Sequence, residues 1–272
     1  MLFFRAGSKT GTAEAMTRRG EVVPLGKSKK PVLREGRPGF SSTSGSCSAA
    51  DSNQGLLSGL PEHLLDKLFE TAKLMRLRAD EVLFLAGEPG DGCYRVGDGL
   101  LKVTMVSRTG SERILAFLGA GHVVGELSII DGLPRSASVV AVRPTSLSFL
   151  SRAAFEEFAK SDPEIYKSLV TLLAARLRET DFAIAAGSFL PVRGRVACTL
   201  LELAEDFGQD VGSGRIVIRQ KIDQRDLAAM AGIARENVSR VLNVWKRRKL
   251  ISRLSGYYYL EDTAKLQGEA EL

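Results

Sequence analysis

Between about Met75 and Leu150 the chain is cut repeatedly by glycine, at Gly87, Gly90, Gly92, Gly97, Gly99, Gly110, Gly119 and Gly121, whereas from Ser151 it runs without one to Gly187. The apolar runs in the first region are short: Val82 to Leu85, Leu100 to Val106, Ile114 to Leu118 and Ser146 to Leu150. Brief strands separated by tight turns close into an antiparallel β-barrel or sandwich. The stretch 151–187 is predicted helical throughout, with Pro163 in a first turn after Asp162 as N-cap. A shorter helical pattern at Leu64, Leu65, Leu68, Phe69 and Ala72 precedes the strands. Such an order gives an α+β chain.

The long helix carries more than amphipathicity. Tyr166, Val170, Leu173, Leu177, Thr180, Ile184 and Gly187 recur at alternating spacings of four and three, the heptad of a two-stranded coil, so a homodimer is expected. A single helix packed on its own domain is the competing reading, because Thr180 and Gly187 are weak knobs.

Composition removes several function classes. In 272 residues no apolar run reaches the roughly 18 needed to span a bilayer, and the first twenty residues hold Arg5, Lys9, Arg18 and Arg19 without the apolar core of a secretory signal. A cytoplasmic protein with no membrane partner is expected. Cys47, Cys93 and Cys198 are too few for a four-thiolate zinc or iron–sulfur site, and with only His63 and His122 a metal centre or Ser-His-Asp triad has little to draw on. No glycine-rich loop precedes a Lys-Ser/Thr pair, and no catalytic or metal-binding residue is assigned. The net charge of +6 is unevenly placed. Residues 1–50 hold nine Lys/Arg against three Asp/Glu, 51–187 hold 15 against 18, and 188–260 hold 13 against seven. A near-neutral middle followed by a basic block suits a sensor joined to a nucleic-acid-binding module, with a solvated basic surface as the plain alternative.

The most informative segment runs from Gly125-Glu126-Leu127 to Arg135-Ser136-Ala137. Gly125 allows close backbone approach, Leu127 to Ile130 can form one helical turn with free amides, and Arg135 offers a fork of donors suited to phosphate. Glu126 beside an anion would repel it unless the carboxylate accepts from hydroxyls, as it would from a ribose. A sugar phosphate satisfies both residues, although a lone pair at this spacing could also be a surface ion pair.

In the basic block, counting from Gln224, a small Ala228 stands at position 5, Gly232 at 9, and Val238 and Val241 at 15 and 18. Ala228 lets two helices approach, Gly232 takes the turn between them, and the valines bury the second helix. Arg235, Glu236 and Arg240 are left on an outward face, able to pair with guanine or accept from cytosine N4. Lys246 to Lys249 extend the basic surface, and Ser255-Gly256 before Tyr257-Tyr258-Tyr259 reads as a β-wing. Trp245 and the tyrosines are expected in core and wing packing.

The string Gly-Glu, eight residues, then Arg-Ser-Ala closely resembles the phosphate-binding cassette of cyclic-nucleotide-binding domains. Followed by the helix and the winged helix-turn-helix, it resembles the cyclic AMP receptor protein branch of the CRP/FNR superfamily of transcription regulators over about Gly55 to Leu260. Phe189-Leu190, Gly194-Arg195-Val196-Ala197 and Leu200-Leu201-Glu202-Leu203-Ala204 look like that family's hinge and first DNA-domain helix. The resemblance implies a β-roll domain over 56–160, a dimerisation helix over 161–187 and a winged-helix DNA-binding domain over 188–260; composition, rich in Gly, Ser, Lys and Arg, reads 1–55 as a disordered basic extension, and a charge of −3 reads 261–272 as an acidic tail. It also implies that Glu126 holds the ribose 2′-hydroxyl, that Arg135 and Ser136 with Gly125 and Leu127 surround the cyclic phosphate, and that Thr180 and Asp181 meet the purine. Arg235, Glu236, Asn237, Ser239 and Arg240 would meet double-stranded DNA, and RNA polymerase is an implied partner. Two departures stand out: Asn237 and Ser239 replace Thr and Gly, and Asp181 replaces the Ser of a Thr-Ser pair. An ionised Asp181 only accepts hydrogen bonds; it suits adenine's amine, opposes adenine N1, and could take two donors from guanine. Cyclic AMP is the first expectation and cyclic GMP the second. A cyclic-nucleotide-dependent adaptor, a haem sensor using His122 and an effector-independent regulator are the alternatives.

Overall fold

The computed structural model describes residues 55–271, so the expected disordered extension, apart from Gly55, lies outside the described residues. The first of two antiparallel sheets contains β1 (Lys73–Leu77), β2 (Val82–Phe84), β3 (Gly92–Val106), β4 (Glu112–Leu118), β5 (Val123–Val124) and β6 (Ser138–Ser151). β6 lies between β1 and β3, and β3 between β6 and β4; β2 pairs with β6 and β5 with β3. Val96, Leu101, Ala116, Leu118, Val139, Ala141 and Leu147 fill the interior.

β3 and β6 are far longer than the apolar runs suggest. Gly97 and Gly99 do not end a strand; the β3–β6 register shifts on either side of Asp98, and Gly99 takes φ +112. A Cβ at Gly99 would stand 2.5 Å from Thr145 Cα. These glycines mark bulges, which bend a strand without ending its pairing.

The expected unbroken helix is two helices, α3 (Arg152–Ser161) and α4 (Glu164–Phe189), following α1 (Glu62–Leu68) and α2 (Glu126–Asp131). The break is at Asp162-Pro163, where Asp162 has φ −132 and ψ 81. Proline disfavours the helical region for the residue before it, so the chain turns there. Ile165 and Leu169 on α4 are buried against the sensor, whereas Tyr166, Val170, Leu173, Leu177 and Ile184 form an apolar stripe between 45% and 65% exposed.

The second module comprises α5 (Val192–Phe207), β7 (Gly208–Asp210), β8 (Ile216–Ile218), α6 (Gln224–Ala231), α7 (Arg235–Arg247), β9 (Ile251–Leu254), β10 (Tyr257–Leu260) and α8 (Thr263–Glu269), its sheet ordered β7-β8-β10-β9. Ser255 (φ +51) and Gly256 (φ +91) make the two-residue turn of the wing. Trp245 and Tyr258 are fully buried, as expected of core aromatics.

The stretch 261–272, expected as an acidic tail, instead contributes to this core. Asp262 caps α8 by accepting from Lys265 N, Leu266 and Ala270 are buried, and Glu269 pairs with Arg193 at 3.8 Å and Arg248 at 3.4 Å. Charge alone hid a helix whose one buried residue is Leu266, with Ala270 buried at its C-cap. The same apolar cluster takes in Leu100, Ile114 and Phe117 from the first sheet, so sensor and DNA module share it. Among the described residues no helix is long and apolar enough to cross a membrane.

Removing Leu266 tests whether α8 is structural. Leu266→Ala should cost ~2–5 kcal/mol in urea unfolding through transfer and cavity terms. Leu254→Ala, at a position 65% exposed on the wing, should change stability by less than ~0.5 kcal/mol.

Candidate nucleotide pocket and nucleic-acid interface

β5 delivers the chain to Gly125, whose φ of +83 starts α2, and Gly132 at φ +76 ends it. This puts Glu126 inward, 6% exposed, while Leu127 stays at the surface of the same turn. Gly125, Glu126, Leu127, Arg135 and Ser136 line one pocket of about 220 Å³ with Phe84, Val103, Leu115, Ala116, Leu118, Leu173 and Arg176. The lining combines three charged side chains, Glu126, Arg135 and Arg176, with aliphatic ones, as a ligand with both charged and apolar groups would need.

Arg135 is 4% exposed, an unusual burial for a charge. Its Nη1 donates to Gly92 O and Gly125 O, both at 2.7 Å; Nη2 lies 3.5 Å from Asp91 Oδ1; and the guanidinium stands 4.3 Å from the Phe84 ring centroid. Nε is buried without a hydrogen-bond partner. An orphaned donor on a buried cation fits an anionic ligand. The backbone comes close on two sides: a Cβ at Gly125 would stand 2.5 Å from Arg135 Nη1, and one at Gly90 would stand 2.2 Å from Ser128 Cβ. Arg152 ties the same elements together, donating to Gly90 O and Ser128 O from the start of α3.

Burial pushes the Glu126 carboxyl upward, opposed by hydrogen bonds from its own backbone and from Leu56 and then by the charges of Arg176 and Arg135. Leu56 N donates to Glu126 Oε1 at 2.7 Å. The thiol of Cys93 is pushed far up, chiefly by burial and next by the Glu126 charge.

Thr180 and Asp181 are not part of this pocket within one chain. Both are exposed on α4, where Thr180 Oγ1 donates to Arg176 O at 2.8 Å. The helix presents Leu173 and Arg176 to the pocket instead. The sequence reading names Leu173 only as a residue of the dimer seam and does not name Arg176. A signal was available: Arg176 lies four residues before Thr180 and Leu173 seven, on the same helical face. His122, considered as a haem ligand, has Nδ1 3.0 Å from Gly119 O in the turn before β5.

In the DNA module Asp223 and Asp226 form a reciprocal cap at the start of α6, and Gly232 ends that helix at φ +61. Ala228, Val238 and Val241 are buried, as their spacing predicts. Arg235, Glu236 and Arg240 are exposed on the N-terminal half of α7, with Asn237 and Ser239 half-buried between them. Arg240 Nη1 donates to Asn237 Oδ1 at 3.3 Å, so Asn237 helps to orient the arginine. Two further arginines meet at the turn itself. Arg195 Nη2 donates to Ala231 O and Gly232 O at 2.6 and 2.8 Å, and Arg113 reaches from β4 so that a Cβ at Gly232 would stand 1.7 Å from its Nη1. Burial and then the Arg195 charge hold the Arg113 guanidinium below its ordinary value.

The two demands on Gly125 are separable by experiment. Gly125→Ala should lose ~1–3 kcal/mol from the left-handed backbone and more from contact with Arg135. Gly110→Ala, at φ +82 with open space around it, should show the backbone effect alone. Equal losses in parallel denaturation curves would mean that Arg135 moves aside freely.

The model of the cyclic nucleotide-binding domain matches residues 74–162, and that of the Crp-like helix-turn-helix domain matches 194–269. The chain is 32% identical over 202 residues, 74% of its length and 89% of the relative's, to the CRP-like cAMP-activated global transcriptional regulator of Mycobacterium tuberculosis. It is 36% identical over 185 residues, 68% of its length and 82% of the relative's, to the cyclic AMP receptor protein of Thermus thermophilus. A solved CRP/FNR-family transcriptional regulator of the same organism superposes with a TM-score of 0.59 at 28% identity, covering 73% of this chain and 98% of that one. With the sensor domain, the helix-turn-helix domain and these relatives in agreement, the chain belongs to the CRP/FNR superfamily as a cyclic-nucleotide-binding transcription regulator.

Proposed function

We propose that the chain is a regulator switched by cyclic AMP that binds a pseudopalindromic operator as a homodimer. The observation that carries the ligand reading is the buried Arg135 with its unpartnered Nε, lining the same pocket as the buried carboxylate of Glu126. In this reading Arg135 and Ser136 hold the cyclic phosphate, Gly125 and Leu127 shape its cradle, and Glu126 accepts from the ribose 2′-hydroxyl. The aliphatic wall of Val103, Leu115, Ala116 and Leu118 takes the purine face.

The exposed stripe on α4 supports the dimer, because a partner helix would cover Tyr166, Val170, Leu173, Leu177 and Ile184 together. Pairing would also carry Thr180 and Asp181 of either chain toward a base seated above Arg176. Cyclic AMP comes first because the Mycobacterium tuberculosis and Thermus thermophilus relatives are named for it. Cyclic GMP is the second reading, favoured by the acceptor-only Asp181. Two recognition helices then face adjacent major grooves, with Arg235, Glu236 and Arg240 toward base edges and Asn237 and Ser239 at the flanks. RNA polymerase in the cytoplasm is the proposed partner of the DNA-bound form.

Calorimetric titration with cyclic AMP and cyclic GMP tests the ligand, and Arg135→Ala tests the site. Loss of a charge-assisted contact worth ~1.5–3 kcal/mol should weaken binding about tenfold or more; unchanged affinity would remove Arg135 from the site.

On operator DNA with half-site centres about 34 Å apart, Arg240→Ala should cost ~1–3 kcal/mol and relax selectivity at one base pair while nearly preserving the salt slope. A uniform loss across sequences would instead assign Arg240 to a phosphate.

A further inference from the structure

One contact in the pocket comes from backbone far away in sequence. The described chain begins at Gly55, φ −58 and ψ 147, and turns at once into a 3₁₀ turn over Leu56–Gly59. The first amide of that turn is the one that donates to Glu126 Oε1, in a buried bond. An amide at the start of a helical turn has no partner within it, so Glu126 supplies what the turn lacks.

The turn is held firmly enough to act as a support. Val123 N donates to Ser58 Oγ at 2.7 Å, Leu57 is fully buried, and a Cβ at Gly59 would stand 2.5 Å from Leu172 Cδ2 on α4. On the pocket side, a Cβ at Gly55 would stand 1.8 Å from Val123 O and 3.3 Å from Glu126 Oε1. Gly55 and Leu56 themselves line the pocket.

We propose that the Leu56 backbone amide is a positioning donor for the ligand site: by holding Oε1 it fixes the orientation in which Glu126 meets the ribose 2′-hydroxyl. This rests on the reading of Glu126 as the ribose-binding carboxylate. A buried carboxylate at the end of a flexible side chain loses selectivity if it can rotate, because a mobile acceptor serves water as readily as the ligand hydroxyl. The 3₁₀ turn is therefore part of the site even though it precedes the sheet by a whole helix. Its position between Glu126 and Leu172 also places the support against α4.

Proline at position 56 removes the donor. The first position of a turn tolerates the ring, and Gly55 already has the extended ψ that a residue before proline adopts. Leu56→Ala controls for the lost side chain. The readout is the ratio of affinities for cyclic AMP and 2′-deoxy cyclic AMP, which a general loss of stability does not change. Wild type and Leu56→Ala should prefer the ribonucleotide by about tenfold, as expected for a hydrogen bond to a charged acceptor, whereas Leu56→Pro should fall to about threefold or less. A Leu56→Pro ratio equal to that of Leu56→Ala would overturn the proposal. Absence of any preference in the wild type would instead overturn the ribose reading of Glu126, and the inference with it. A second measurement does not depend on the proline variant folding: the Leu56 amide should be protected from hydrogen exchange in the wild type and lose at least about tenfold of that protection in Glu126→Gln, since an amide oxygen is the weaker acceptor. Unaltered protection would also overturn the proposal.

Discussion

Arg135 is a cation inside a protein, and much of the sensor is arranged around that fact. An unpaired buried charge costs several kcal/mol, so the fold must bring acceptors to the guanidinium instead of leaving it to water. It does so with backbone: the carbonyls of Gly92 and Gly125 converge at 2.7 Å while the Phe84 ring covers one face. The backbone around the guanidinium is packed closely enough that Gly90, Gly92 and Gly125 have no room for a Cβ. At Gly92 a Cβ would lie 2.3 Å from Leu150 O. Arg152 secures the outer side by joining the loop before β3 to α2. What is left over is a single unpartnered donor, Nε, and a negative ligand is the natural complement to it.

The DNA-reading module uses carbonyls in a similar way within itself. The C-terminal end of a helix offers unpaired oxygens and a partial negative charge, and Arg195 takes both at the end of α6. Arg113 of β4 approaches the same turn, held beside a like charge, with Glu202 favouring its charged form. Gly232 thus meets two requirements at once: a left-handed backbone and room for the sensor's arginine. The helix-turn-helix turn is in this way also a point of contact between the ligand-binding sheet and the DNA-binding helices.

How far these features could be read from the sequence depended on how local they were. The cassette from Gly125 to Ser136 and the helix-turn-helix spacing of Ala228, Gly232, Val238 and Val241 were legible because each is one continuous segment with fixed offsets. Leu56 was not, because it reaches the pocket from the first turn of the described chain and no spacing rule links it to Glu126, and Arg176 was marked only by its spacing from Thr180 on the long helix. Gly97 and Gly99 misled in the other direction, since a glycine at a bulge looks like a glycine at a turn until the register is known. At Asp162-Pro163 the sequence predicts a helix start within one long helix, whereas the same proline separates two helices. Residues 261–272 looked like a tail because four acidic residues outweighed one lysine, while the two residues that anchor α8, Leu266 and Ala270, carry no charge and no obvious period.

The apolar cluster that takes Leu100, Ile114 and Phe117 from the sheet and Val196, Leu200, Leu227 and Trp245 from the DNA module has a thermodynamic consequence. Residues that share one core melt together, because neither side can leave without exposing the other. A ligand that binds only the folded sensor adds RT ln(1 + [L]/Kd) to the free energy of the whole cooperative unit. The wing and recognition helix, which lie outside the pocket, would then share in that gain, so the heat resistance of the DNA-reading end becomes a gauge of occupancy at the sensing end.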